Sequence, residues 1–268
     1  MLSVSNLNFQ YGKTKVLHEV SFDIEDNAIV SILGPKGVGN TTLLRCLCNF
    51  HRPSEGCMTI DGNNMTDLPI REMAKYIGYV PQRSRASRTT VFDSILIGRR
   101  LFIKWSVTKK DIDLVWEIMD ALNMRSLALR FADEISGGEF QKAQIARAIV
   151  QEPRVLIMDE PTSNLDIANQ HRTMHMICDL VRSKSISTVM TMHDINLAAN
   201  FSDKLLFMKD GRIVSYGDKW MINEDLVKEV YGIDVDVIEH KGTPFVIPRK
   251  EQADACLSKD NGSGRPEA

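Results

Sequence analysis

The chain has 268 residues, 43% of them hydrophobic, with 33 basic against 35 acidic side chains. That length suits one large domain with a smaller lobe and a tail, and the near-neutral balance argues against a broad nucleic-acid surface. Apolar runs fall short of the ~18–20 residues that cross a bilayer, and MLSVSNLNFQYG lacks the charged-then-apolar profile of a signal peptide, so a cytosolic chain that docks on a membrane protein is expected.

Short β-branched or alternating runs predict strands at 2–9, 16–24 and 28–33. The last feeds straight into a glycine-rich loop, Gly34-Pro35-Lys36-Gly37-Val38-Gly39-Asn40-Thr41-Thr42. A helix is predicted from about Thr41, with Leu43, Leu44 and Leu47 on one face. Strand, glycine loop and helix in that order form the setting of a phosphate-binding loop. Turn residues over 52–63 flank a short strand, Met58–Ile60, and another strand is predicted at 76–80.

From about 89 to 130 the period becomes helical. Ile112, Val115, Trp116, Met119 and Leu122 are spaced for one apolar face, which suggests a helical insertion into an α/β core. The alternation then resumes: a helix to about 150, a strand at Val155–Met158, a helix over 166–183 and a strand at Ser187–Thr191. A helix at 194–201, a strand at Lys204–Met208 and a hairpin through Asp210-Gly211 to Arg212–Tyr216 follow. Such alternation implies a parallel sheet covered on both faces. No internal repeat is present, and the five cysteines (Cys46, Cys48, Cys57, Cys178, Cys256) lack metal-ligand spacing and are expected to be buried reduced thiols.

The loop departs from G-x-x-x-x-G-K-[ST] at one place. Gly34, Gly39 and Thr41 match, but position 40 is Asn, and a lysine stands four residues earlier as Lys36. Gly37 and Gly39 let the backbone turn its N–H groups toward an anion, and the following helix adds its dipole. Thr41 offers a hydroxyl to Mg²⁺ and Thr42 one to a phosphate oxygen. The lysine normally adds a charge between the outer phosphates; at ~4 Å and an effective dielectric near 20 such a pair is worth roughly 4 kcal/mol. Lys36 either swings toward the γ-phosphate or points into solvent.

Five further motifs follow in order: Tyr79-Val80-Pro81-Gln82, Ile135-Ser136-Gly137-Gly138-Glu139, Val155-Leu156-Ile157-Met158-Asp159-Glu160, Ser163-Asn164-Leu165-Asp166 and Thr191-Met192-His193-Asp194. With this series the chain resembles the ATP-binding subunit of ABC transporters, from Tyr11 to about residue 217. The resemblance implies a P-loop NTPase cassette with a RecA-like mixed core, an antiparallel β subdomain and an inserted helical subdomain. Residues 1–217 would form the ATP-binding domain, with the helical subdomain at about 89–135; residues 218–248 would add a small α/β appendage, and 249–268 a disordered tail.

The resemblance also assigns roles. Tyr11 would stack on adenine, although a strand-edge core aromatic would look the same. Asp159 would hold Mg²⁺ through water, with Thr41 and Gln82 beside it. Glu160 would orient or deprotonate the attacking water, and Gln82 would sense that water and the metal. His193 would contact the γ-phosphate and support Glu160. Ser136, Gly137, Gly138 and Glu139, at a helix start, would cap the nucleotide held by another protomer's loop, and Asp166 would couple the two sites. One cassette per chain therefore implies a head-to-tail homodimer.

Residues 90–100, Thr90-Val91-Phe92-Asp93-Ser94-Ile95-Leu96-Ile97-Gly98-Arg99-Arg100, look like those of the ATPases of metal-chelate importers. So do Val230–Val237 and Gly242–Pro248. That likeness implies ATP and Mg²⁺ as cofactors and import of a ferric siderophore, haem or cobalamin. It implies transmembrane permease subunits as partners, a substrate-binding protein indirectly, no nucleic acid, and a peripheral place on the cytoplasmic face of the membrane. Asn40 supports a competing reading, a module that binds nucleotide and barely hydrolyses it. A soluble ABC protein of translation or DNA repair fits less well, because those carry tandem cassettes or long coiled coils.

Overall fold

A computed structural model describes residues 1–163 and 165–249. Asn164, Cys256 and the tail from residue 250 lie outside the described residues. The chain opens with β1 (Leu2–Tyr11) and β2 (Thr14–Ile24), paired antiparallel from Leu2↔Ile24 to Tyr11↔Thr14. The buried positions of β1 change parity, from Leu2 and Val4 to Leu7 and Phe9. A register shift between Val4 and Leu7 accompanies the change, with Asn6 at φ 51°. A bulge moves the inward face by one residue in this way.

Then follow β3 (Ile29–Leu33), α1 (Asn40–Leu47), β4 (Glu55–Ile60), β5 (Asn63–Asn64), α2 (Ile70–Met73) and β6 (Ile77–Val80). The helical stretch holds α3 (Val91–Leu96), α4 (Lys109–Ala121) and α5 (Gly137–Ile149). The chain returns through β7 (Val155–Asp159), α6 (Ile167–Ser183), β8 (Ser187–Thr191), α7 (Ile195–Phe201), β9 (Lys204–Lys209) and β10 (Arg212–Gly217). It continues with α8 (Glu224–Tyr231), β11 (Val235–His240) and β12 (Thr243–Pro248).

One antiparallel sheet has the order β2-β1-β4-β5; the central sheet runs β10-β9-β3-β8-β7-β6. In the central sheet only β10 is antiparallel to its neighbour. This is the expected α/β architecture: a mixed core, an antiparallel subdomain and inserted helices.

The central strands are buried on both faces, and their residues alternate between two cores. Ile29, Leu33, Leu156, Met158, Leu205 and Phe207 belong to one apolar cluster. Val30, Ile32, Val155, Ile157, Leu206 and Met208 belong to the other. Leu43, Leu44 and Leu47 of α1 pack in the second cluster, while Ala143, Ile145, Ala146 and Ile149 of α5 pack in the first. The two helices therefore cover opposite faces of the sheet. Ile222, Leu226, Val227, Val230, Val235 and Val246, from residues 218–248, join the same cluster as α5.

Two expectations are corrected. The buried stripe of α4 is Asp111, Leu114, Val115, Ile118 and Met119, continued by Leu122, whereas Ile112 is 38% exposed and Trp116 lies on the flank. The cause is a buried ion pair: Arg99 Nε donates to Asp111 Oδ1 at 2.9 Å, and Arg99 Nη1 reaches Glu152 Oε2 at 2.7 Å and the Val150 carbonyl at 3.0 Å. A buried guanidinium needs such partners, and drawing Asp111 inward turns Ile112 outward. Cys46, Cys48 and Cys178 are buried thiols, but Cys57 is exposed. On β4 the inward places go to Met58 and Ile60, so period two leaves Cys57 outside.

Candidate nucleotide site

Strands β3, β8, β7 and β6 are adjacent and parallel, so their carboxyl ends lie along one edge of the sheet. In open α/β sheets that edge is where ligands bind. Pro35, Lys36, Gly37, Gly39, Asn40, Thr41 and Thr42 line a cleft there of about 300 Å³ with Gln82, Asp159, Glu160, Thr191 and His193. Segments up to 158 residues apart in sequence thus meet because their strands are neighbours.

The loop is shaped by what its glycines avoid. A Cβ on Gly34 would sit 2.5 Å from the Met208 carbonyl oxygen. Gly39 has φ 114°, and a Cβ there would meet Leu17 Cδ2 at 3.1 Å and the Val16 carbonyl oxygen at 3.3 Å. Gly39 is the cap residue of α1, with no side-chain cap bond and no acidic residue in the first turn. The first N–H groups of α1 are thus not claimed by a capping side chain, and unclaimed donors at a helix start suit an anion.

Asn40 turns back on its own loop: Nδ2 donates to the Gly34 carbonyl oxygen at a long 3.5 Å, and Oδ1 is buried with no hydrogen-bond partner. Lys36 is exposed at the crest and lines the cleft. Val38 packs against the core beneath.

Asp159 ends β7 and is buried. Its Oδ1 accepts from Thr191 Oγ1 at 2.8 Å and Thr41 Oγ1 at 3.3 Å. Glu160, the next residue, is in the left-handed region at φ 48°, a conformation that a non-glycine side chain holds at a cost of order 1–3 kcal/mol and that clusters at functional sites. Its N–H donates to Thr191 Oγ1 at 2.9 Å. Gln82 Nε2 donates to Glu160 Oε2 at 2.6 Å, and His193 Nε2 lies 2.6 Å from Oε1. The carboxylate is therefore held from both sides. Thr191 had no assigned role in the sequence reading, although it opens the Thr-Met-His-Asp motif. Its hydroxyl joins the two carboxylate residues because β8 runs beside β7.

Hydroxyl, carboxylate and amide oxygens of Thr41, Asp159 and Gln82 are hard donors that suit Mg²⁺. Among the described residues no group of three His, Cys, Asp or Glu side chains is placed to hold a metal. Mg²⁺ commonly uses one or two carboxylates plus substrate phosphates and waters, so the residues present fit it.

The remaining sequence-predicted residues lie outside this cleft. Ser136 caps α5 with a reciprocal box: Ser136 Oγ accepts from the Glu139 N–H at 3.3 Å, and Glu139 Oε2 accepts from the Ser136 N–H at 2.8 Å. That backbone N–H holds the Glu139 carboxyl below its ordinary range. Gly137 and Gly138 form the first turn. Asp166 caps α6, accepting from the Asn169 N–H at 2.9 Å, a bond that lowers its pKa. Tyr11 is 45% exposed; its hydroxyl lies 2.8 Å from His51 Nε2, and its ring meets Phe9 edge-on.

Residues 17–163 match the family model described as ABC transporter. An uncharacterized ABC transporter ATP-binding protein of Methanocaldococcus jannaschii is 42% identical over 248 residues, covering 92% of this chain and 98% of its own. The ferric enterobactin transport ATP-binding protein FepC of Escherichia coli is 32% identical over 250 residues, covering 90% and 92%. The phosphonates import ATP-binding protein PhnC 2 of Oceanobacillus iheyensis reaches the same 32%, covering 87% and 96%. A solved ABC transporter described as of metal-chelate type, in an inward-facing conformation, superposes with a TM-score of 0.79 at 28% identity, covering 93% of this chain and 97% of that one.

Proposed function

This chain belongs to the ABC transporter family as an ATP-binding, ATPase-type subunit, and on that footing we propose that it hydrolyses ATP between two copies of itself to drive import of a metal chelate through a membrane permease. The observation that carries the reading is Glu160, held between Gln82 and His193 at the end of β7, one residue from a buried Asp159. With MgATP on the loop, the metal would supply charge stabilisation to the phosphates, held by Thr41, Asp159 and Gln82. Glu160 would accept the proton of the attacking water, and His193 and Gln82 would fix its carboxylate. Thr191 would keep both acidic residues in register. Tyr11 would take the adenine after release from His51.

The homodimer is supported by the separation of parts. Ser136, Gly137, Gly138, Glu139 and Asp166 are away from the cleft of their own chain, at exposed helix starts, and would complete the site of a second copy. Permease docking is supported by a groove of about 620 Å³ beside the helical subdomain, lined by Phe50, Ile77, Tyr79, Ile97, Leu101 and Arg147 among others. No helix among the described residues is long and apolar enough to cross a membrane, and attachment at the cytoplasmic face would come through that groove. The metal-chelate cargo is supported by the motifs at 90–100 and 230–248 and by the siderophore relative. Uptake assays of the reconstituted transporter with a ferric siderophore and with a phosphonate separate the two cargo classes. We also propose the division into an ATP-binding domain to 217 and an appendage over 218–248.

One observation favours a second reading, nucleotide binding with little turnover. Asn40 is neutral and bonds within its own loop. The test is steady-state hydrolysis by the chain, Asn40→Lys and Lys36→Asn. Asn40→Lys is expected to raise turnover at least ~10-fold, in line with the ~10²–10³ that one charge-stabilising donor supplies. Equal rates in parent and Asn40→Lys would overturn the view that position 40 limits catalysis. No change in Lys36→Asn would remove Lys36 as its substitute.

A further inference from the structure

The stretch that joins α3 to α4 departs from the rest of the chain in charge. Between Asp93 and Asp113 the sequence holds a single acid, Asp111, and that acid is buried against Arg99. Arg100, Lys104, Lys109 and Lys110 are exposed, and none of the four forms an ion pair among the described residues. Four unneutralised cations thus fall within residues 100–110 of a chain whose formal net charge is −2.

The same stretch carries apolar side chains on its outside. Ile97, Phe102, Trp105 and Val107 are exposed, and Trp105, at 98%, packs on almost nothing. Single exposed apolar residues are ordinary. A tryptophan wholly in water, beside a phenylalanine and four free cations, has the chemistry of a bilayer boundary: indole rings sit at headgroup level, and basic side chains are drawn to anionic lipid.

The tip is held from both sides. A 3₁₀ turn, Ile97–Leu101, precedes it; the Arg99 carbonyl accepts from the Phe102 and Ile103 N–H groups at 2.8 and 3.2 Å, and the Arg99 guanidinium lies 4.5 Å from the Phe102 ring centre. On the far side Thr108 caps α4, its N–H donating to Asp111 Oδ2 at 3.0 Å and its Oγ1 accepting from the Asp111 N–H at 3.3 Å. Both ends of the loop therefore converge on the buried Arg99–Asp111 pair. Ile97, Arg100 and Leu101 also line the groove of about 620 Å³, so the loop borders it.

We propose that residues 100–110 are a contact with the membrane surface: Trp105 and Phe102 enter the headgroup layer of an anionic leaflet, and Arg100, Lys104, Lys109 and Lys110 face lipid phosphates. The cations stand on both sides of the aromatic tip, which matches a field of headgroups rather than one carboxylate of a protein partner. The placement rests on reading the neighbouring groove as the permease dock.

The test is co-sedimentation of the full chain with vesicles, in the absence of permease. One set is an equal mixture of phosphatidylglycerol and phosphatidylcholine, the other phosphatidylcholine alone. The parent is expected to bind the mixed vesicles, to leave them in ~0.5 M salt as exposed charges are screened, and to stay in the supernatant with neutral ones. Trp105→Ser should weaken binding at least ~5-fold, and Lys104→Gln combined with Lys110→Gln ~30-fold, the share of two basic residues at an anionic surface. MgATP affinity should be unchanged in both variants, which shows that they are folded. No binding of the parent to the mixed vesicles overturns the proposal, and if Trp105→Ser then loses the permease the loop is a protein contact. Binding that Trp105→Ser leaves unaltered overturns it too, as charge attraction alone, and so does equal binding to neutral vesicles. Failure of the parent to co-purify with a permease would instead strike the docking reading of the groove.

Discussion

Helices α1 and α5 each open on glycine, yet they solve the problem of their free N–H donors in opposite ways. At α1 no side chain caps the helix; Gly39, in a conformation and a space that exclude a side chain, leads the backbone into a cleft. At α5 the chain satisfies itself, with Ser136 and Glu139 exchanging bonds on an exposed surface. The first start is held open by shape and the second is closed by its own side chains. A ligand at α1 meets uncapped donors; a ligand at α5 must share Ser136 with Glu139.

The strongest challenge to this contrast is the same substitution at both starts. Gly39→Ala is expected to lower stability by ~1–3 kcal/mol through backbone strain and the clash with Leu17, and MgATP affinity with it. Gly137→Ala has no heavy atom within 4 Å of the new Cβ, and should raise stability by up to ~1 kcal/mol through helix propensity. Paired denaturation curves check both; equal losses would break the contrast. Next in size, Ser136→Ala should cost ~1 kcal/mol of stability as a lost cap and lower hydrolysis by the assembled pair, while MgATP affinity of a single copy stays as it was. Calorimetric titration at high dilution reads that affinity.

The smallest expected effect is in acid. The Glu139 carboxyl is held below its ordinary 4.5 by the Ser136 N–H. Its stabilising contribution is thus full above pH 4.5 and is lost as pH falls through the lowered folded value. Protection factors at the start of α5 should drop over that window, and those at the start of α1, which has no acidic residue in its first turn, should not follow. Parallel loss at both helices would show that the box is not what sets α5 apart.

Much of this was legible in the sequence because it is local. Strand periodicity, glycine loops and caps depend on a few neighbouring residues, and β3, β7, β8 and β9 emerged near their expected places. What escaped depends on which strands become neighbours. Thr191 gains its role only when β8 lies beside β7. Asp111 is absent from the predicted face of α4 because its partner, Arg99, is twelve residues away on another element. The side-chain direction of Asn40 was equally hidden: a pattern records that lysine is missing, not that the amide folds back onto Gly34.

The separation of the two helix starts has a genetic consequence. The start of α1 lines the cleft and the start of α5 does not, so in the proposed pair the second start comes from the other copy. Each copy of the proposed pair lends one and receives one, and the assembly closes at two. On that pairing, a copy damaged at Gly39 and a copy damaged at Ser136 would each be impaired when paired with their own kind. Mixed together, they place the sound loop of one opposite the sound helix start of the other. Such a mixed pair keeps one whole site of two, so alleles that fail alone should complement each other in the same cell.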